Sequence, residues 1–172
     1  MTTKRKKRKV VAISGGFDPI HIGHIRLIHA ASYFGRVVVI LNTDQWLLKK
    51  KGYYFMTLEE RIELLKSIKK VGKVVVAKDA DGTVAATLRE LKPDYFANGG
   101  AIDENSLCEQ ELAACKECDV ELVYGVGGTK VQSSSRLVEK LKKNKKGEQS
   151  TMSDFKDIID SFHSLNTLLD EK

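Results

Sequence analysis

Two histidines three residues apart, His21 and His24, follow a double glycine, Gly15-Gly16, with Phe17-Asp18-Pro19-Ile20 between. Those residue types at that spacing suit phosphate chemistry. Glycine lacks a Cβ, so backbone amides there approach an anion closely. Imidazoles at i and i+3 on an opening helical turn face the same way. They can then donate hydrogen bonds to phosphate oxygens as negative charge builds on them. The flanks supply the setting. An apolar run, Val10-Val11-Ala12-Ile13, leads in, and Ile25, Leu27, Ile28 and Ala31 lead out at helical spacing. The motif therefore joins a strand end to a helix start, where unpaired N–H groups and the positive dipole end favour an anion. A lone double glycine or a lone helical histidine is ordinarily structural. The pair in this setting points to function, with Gly15, Gly16, Phe17 and Asp18 as nucleotide-binding residues and His21 and His24 as the catalytic groups.

A second anion-type element lies far along the chain. Gly125-Val126-Gly127-Gly128-Thr129-Lys130-Val131-Gln132-Ser133-Ser134-Ser135 reads as a glycine-rich loop running into a helix start. Lys130, Gln132, Ser133, Ser134 and Ser135 are its candidate phosphate contacts, because hydroxyls, a cation and helix N–H groups converge there. A serine at a helix start alone would only be a cap. A third element, Asn98-Gly99-Gly100, ends another apolar strand and suits close approach of backbone to a base or ribose. Between the strand ending in Asn42-Thr43-Asp44 and the next helix comes Lys49-Lys50-Lys51. It reads as a mobile loop whose positive charge folds over a triphosphate.

Gly15-Gly16-Phe17-Asp18 with His21-Ile22-Gly23-His24 resembles the signature of the HxGH nucleotidyltransferases. From Val10 to about Leu141 the chain is most similar to the glycerol-phosphate cytidylyltransferases and heptose-phosphate nucleotidyltransferases. The resemblance implies transfer of CMP from CTP to a small phosphorylated alcohol or sugar with release of pyrophosphate, and Mg²⁺ accompanying the nucleotide. It implies a lysine on the leaving pyrophosphate, with Lys50 the best positional match and Lys49 and Lys51 as support, and an arginine, here Arg61, that orders the loop or a phosphate. A homodimer is expected. The opening suits an adenylyltransferase equally, so ATP with a sugar phosphate, nicotinate mononucleotide or phosphopantetheine is the alternative. A non-catalytic nucleotide- or nucleic-acid-binding module is a third reading, and the intact histidine pair speaks against it. Members of the resembling family carry an arginine in the serine loop; this loop has none, and Lys130, the nearest candidate, lacks the bidentate fork. The aspartate that usually follows the glycine pair is replaced by Ala101, with Asp103 two further on.

Five apolar strands alternating with helices must carry these groups. Val10–Ile13, Val37–Leu41, Lys73–Ala77, Asp94–Ala97 and Val120–Tyr124 are the expected strands. The fold class is α/β, a doubly wound five-stranded parallel sheet, Rossmann-like, of order 3-2-1-4-5 with an extra C-terminal helix. Helices are expected from about Ile22 to Phe34, after the capping pair Thr57 and Glu60, over Val84–Leu91, Glu104–Lys116 and Ser135–Lys142. Domain boundaries follow composition. Residues 1–9 are a basic disordered lead-in, 10–143 the nucleotidyltransferase domain, 144–151 a linker and 152–172 an amphipathic helix.

The net charge of +6 in 172 residues is concentrated at Lys4–Lys9 and at Lys140, Lys142, Lys143, Lys145 and Lys146. The body between is mildly acidic, which disfavours nucleic acid as the main partner. No apolar run reaches a membrane span and no signal peptide is present. Three cysteines without one argue for a reducing compartment, hence the cytoplasm. Cys115 and Cys118 have the spacing of half a metal site, but no second pair completes it, so no protein metal site is expected.

Overall fold

The computed structural model describes residues 8–100, 106–129 and 132–140. It divides into two compact units, Met1–Ser134 and Ser135–Lys172. The expected lead-in up to residue 7, Lys130, the linker and the C-terminal helix lie outside the described residues. Lys9, placed in the lead-in from sequence, is ordered: Arg36 N donates to its carbonyl at 2.8 Å, and its Nζ donates to the Tyr95 hydroxyl.

Five parallel strands form one sheet: β1 (Val10–Gly15), β2 (Arg36–Leu41), β3 (Val71–Val76), β4 (Tyr95–Gly99) and β5 (Glu121–Val126). Their order is β3-β2-β1-β4-β5, as the alternation of apolar runs and helices implies. The central strands β1 and β2 are Val/Ile-rich because both of their faces are covered. On one face Val11, Ile13, Val37, Val39 and Leu41 pack with Ile28 and Ala31 of α1 (Ile22–Ala31) and Leu65 of α3 (Leu58–Ser67). On the other, Ala12, Ile40 and Phe96 pack with Leu88 of α4 (Ala85–Leu91) and with Ala114 and Cys115 of α5 (Glu109–Glu117). Each fully buried Val, Ile, Leu or Phe in these layers contributes roughly 1.5–3 kcal/mol.

Several boundaries differ from expectation. β3 begins at Val71, ahead of Lys73, because Val71 pairs with Val37 before a register shift in the ladder. α5 begins only at Glu109, after the N-cap Cys108. The largest difference is α2 (Asp44–Lys51), a helix where the lysines read as a mobile loop. Thr43 is its N-cap, accepting from Trp46 N, and Gly52 ends it at φ 78°. Among its residues Leu47 is the buried one, seated so close to Gly16 that a Cβ there would lie 2.7 Å from its Cδ2. The pair Thr57 and Glu60 forms the expected capping box at the head of α3.

Gly127, directly after β5, lies close against the backbone of α1. It has φ 87°, and a Cβ there would meet Leu27 N at 2.8 Å. Gly127→Ala is expected to cost about 1–3 kcal/mol for the backbone strain alone, with the clash in addition. Denaturant unfolding of the variant checks this; a midpoint equal to the parent's would show that the loop is not held against α1.

Candidate active site

The motif turn is built around α1's first residues. His21 is the N-cap of α1, with extended backbone, and its Nδ1 accepts from Gly23 N at 3.1 Å. His24 sits three residues on, and its Nδ1 accepts from His21 N at 3.3 Å. The two imidazoles thus form a reciprocal capping box, a role usually filled by a hydroxyl and a carboxylate. They stack with centroids 3.7 Å apart and planes at 18°. Since both Nδ1 atoms accept, Nε2 is the ring nitrogen of each that carries a proton. Phe17, buried and at φ 49°, tilts its ring against His24 at 4.7 Å. Burial pushes the His24 imidazole down to about 3, with the charges of His21 and Lys51 adding to the effect. His24 is therefore a neutral donor at physiological pH.

Asp18, expected among the nucleotide-binding residues, is turned inward. It is fully buried, and its carboxylate accepts from Phe55 N at 2.6 Å and Met56 N at 2.8 Å. Two backbone amides of the α2–α3 connection would otherwise be orphaned, and the carboxylate meets both. Arg61 is likewise interior, 1% exposed. Its Nη1 donates to Gly16 O and Asn42 O, each at 2.8 Å, its Nε to Met56 O at 3.2 Å, and its Nη2 pairs with Asp44. It orders the glycine turn, the end of β2, the start of α2 and the connecting loop together, which is the loop-supporting half of the expectation.

The three lysines separate on α2. Lys51 donates to Asp18 O at 3.1 Å, and burial holds its ammonium below the usual lysine value. Lys50, favoured from position, lies instead over the Trp46 ring at 4.3 Å. Lys49 is exposed. Lys51 is thus the one that the helix turns toward the histidines. Trp46 itself donates to Gly82 O at 2.7 Å and links α2 to the β3–α4 loop.

The serine segment reaches the same turn. Ser134 Oγ donates to Pro19 O at 2.9 Å across 115 residues of sequence. A Cβ on Gly23 would lie 3.7 Å from Gln132 O, and the Gln132 side chain accepts from Ser133 N at 3.0 Å. The Ser134 proton is therefore held by the turn, which makes this hydroxyl a stitch between the two elements, with Ser133 beside it. Ser135 begins the second unit and is exposed. Asn98 is buried at the end of β4, followed by Gly99 and by Gly100 at φ 70°. A Cβ on Gly99 would lie 3.2 Å from both Leu27 Cδ1 and Val126 O. For a metal, the carboxylate nearest the turn is Asp18, and it is occupied by amides. Among the described residues no group of three His, Cys, Asp or Glu side chains is placed to hold one.

Residues 12–151 match the profile of the cytidylyltransferase-like family. The chain is 31% identical over 137 residues to the bifunctional protein HldE of Citrifermentans bemidjiense, covering 78% of this chain and 27% of that one. It thus spans about a quarter of the length of that relative. It is 31% identical over 144 residues to the FAD synthase of Thermococcus sibiricus, covering 79% of this chain and 95% of that one. Its fold is shared with the lipopolysaccharide core biosynthesis protein of Thermoplasma volcanium, at TM-score 0.57 and 22% identity over 69% of this chain and 94% of that one.

Two outcomes follow from the geometry. Arg61→Ala leaves Asp44 and three carbonyls without their partner, and is expected to destabilise by about 3–5 kcal/mol; chemical denaturation measures it, and a loss under 1 kcal/mol would remove Arg61 from its structural role. His24 has its pKa depressed on folding, so the unfolded chain takes up a proton first as pH falls. Its contribution keeps stability highest above about 6.5 and drains it as pH descends toward about 3. Nitrogen chemical shifts of His24 in the free protein should show no titration between pH 8 and 5; a midpoint near 6.5 would contradict the buried neutral ring.

Proposed function

The chain belongs to the cytidylyltransferase-like family of nucleotidyltransferases, and from that premise we propose that it transfers AMP from ATP to the phosphate of a small phosphorylated alcohol or sugar, releasing pyrophosphate. The observation that carries the reaction type is the stacked histidine pair. Both Nδ1 atoms are held by backbone amides at a glycine turn, and residues 132–134 are stitched to that turn. An acceptor phosphate oxygen attacks the α-phosphorus in line, the bond to the bridging oxygen breaks, and pyrophosphate leaves with its electron pair. No side chain becomes covalently modified. Catalysis comes from position and from donors fixed before charge develops. The Nε2–H groups of His21 and His24 donate to the α- and β-phosphate oxygens. Lys51, with Lys50 and Lys49 behind it on α2, draws on the leaving pyrophosphate. Gly15, Gly16, Gly99 and Gly100 admit the nucleotide closely, with Asn98 and the Gln132–Ser133–Ser134 segment at its edges.

What supports ATP as the donor is the likeness to two classes of relative, HldE and FAD synthase. CTP is the second reading. The lysine-bearing helix before "TLEERIELLKSI" favours it, through the likeness of that stretch to the cytidylyltransferases. Mg²⁺ generally accompanies the triphosphate in this family. Among the described residues no group of three His, Cys, Asp or Glu side chains is placed to hold it, and no step is assigned to it.

Pyrophosphate release measured with ATP and with CTP against glycerol 3-phosphate, hexose 1-phosphates, nicotinate mononucleotide, phosphopantetheine and flavin mononucleotide tests both readings. Turnover with ATP at least tenfold above CTP is expected; turnover with CTP alone would give the donor to the second reading. His24→Ala should lower kcat by about 10²–10³ while nucleotide affinity changes only a few-fold. Equal kcat in variant and parent at saturation would defeat the role of the histidine pair.

A further inference from the structure

The helix that carries the lysines has little to hold it. α2 is eight residues long and buries one side chain, Leu47. A helix of that length is not stable by itself in water. Lys49, Lys50 and Lys51 follow one another on it, so a slip of one residue, about 100° around the axis, would carry a different ammonium to the motif. Contacts outside the helix must fix that rotation.

Those contacts fall on two faces. Asp44, Leu47 and Lys51, at i, i+3 and i+7, meet the motif side. Asp44 pairs with Arg61, Leu47 lies against Gly16, and Lys51 donates to Asp18 O at 3.1 Å. Trp46, Lys49 and Lys50, at i, i+3 and i+4, share another face. The Trp46 Nε1–H donates to Gly82 O at 2.7 Å, and Lys50 Nζ stands 4.3 Å over the ring. The ring also reaches the glycine turn, since a Cβ on Gly16 would lie 3.6 Å from its Cζ3. One half-buried side chain thereby joins the connections that follow β1, β2 and β3.

The far end of this clasp is firm. Gly82, at φ 88°, precedes residues whose amides are taken by carboxylates. Thr83 N donates to Asp81 at 2.9 Å, Val84 N to Glu111 at 3.1 Å and Thr87 N to Asp79 at 3.2 Å. The Gly82 carbonyl is thus a fixed point at the head of α4. Anchors on two faces remove the rotation that an anchor on one face would allow.

We propose that Trp46 is a positioning residue: its clasp on Gly82 O fixes the rotation of α2, and with it the place of the Lys51 ammonium at the motif turn. Its part in catalysis rests on the nucleotidyl-transfer reading, in which Lys51 draws on the leaving pyrophosphate. The placement itself is tested without turnover.

Three measurements on the full chain test it. The chain has one tryptophan, so its indole N–H gives a single NMR signal. Hydrogen exchange of that group in the parent, which needs no variant, should be at least tenfold slower than in a tryptophan peptide. Trp46→Phe keeps a ring under Lys50 and loses the N–H. Burial holds the Lys51 ammonium below the usual lysine value, against the pull of Asp18 and with the charges of Lys50 and Arg61 adding to the effect. In Trp46→Phe its titration, followed by side-chain NMR, should rise to join that of the exposed lysines. In pyrophosphate release, Trp46→Phe should lower kcat about tenfold with KM for ATP changed less than threefold, because charge gathers on the leaving group in the transition state. In a Lys51→Met background the same substitution should change kcat less than twofold, as for residues that act through one another.

An indole N–H that exchanges as fast as in the peptide overturns the clasp. A Lys51 titration unmoved in Trp46→Phe overturns the positioning. So does a kcat loss of equal size with and without Lys51, which gives the ring a separate role. Displacement of Lys51 by Trp46→Phe in a protein that releases no pyrophosphate sinks the proposed reaction and leaves the placement standing. Pyrophosphate release by the parent with Lys51 unmoved in the variant does the reverse.

Discussion

The Arg61 guanidinium is the joint on which the site depends. It ties together three segments of the chain: the glycine turn through Gly16 O, the junction of β2 and α2 through Asn42 O and Asp44, and the α2–α3 connection through Met56 O. A charge so far inside the protein is tolerable only because its donors meet carbonyls and a carboxylate. Asp18 performs the opposite task from the other side, taking two amides of the same connection. The charged residues of the motif region thus divide into those that hold the backbone and those that face outward. This division leaves the two imidazoles, with His24 neutral, at the turn.

Neutrality has a physical origin in the motif's own geometry. Each Nδ1 is held by a backbone N–H, which fixes the tautomer, and burial with a lysine nearby keeps a second proton off His24. Donors fixed in this way need no reorganisation when charge develops on a phosphate, which is where electrostatic catalysis gains most. The connection between Ser134 and Pro19 then brings a segment more than a hundred residues away to the same turn. Local capping and a single long-range stitch are enough to assemble a site from the ends of three strands.

Much of this was legible in the sequence. Continuous apolar runs such as Val37–Leu41 announce buried parallel strands, and the sheet order follows from their alternation with helices. The glycine turn, the histidine pair and the serine segment could be placed at strand ends before any coordinates. What was not legible concerns orientation. α2 is eight residues long and buries one of them, Leu47, so its lysine run carries no helical periodicity, although Thr43 and Gly52 marked both ends. Lys50 and Lys51 differ by one position, but once the segment is a helix that step is about a 100° rotation, and it decides which lysine meets the motif. Asp18 and Arg61 have the residue types of phosphate chemistry. Only the fold reveals which backbone groups would be orphaned without them.

The central claim is that the histidine pair and the 132–134 segment contact one polyphosphate. Nitrogen-resolved NMR of the protein during titration with α,β-methylene ATP and Mg²⁺ tests it directly. The account expects the Nε2 resonances of His21 and His24 and the amide of Ser133 to shift together, along a single binding curve. Shifts confined to the imidazoles, or to the serine segment, or following two separate curves, would contradict it.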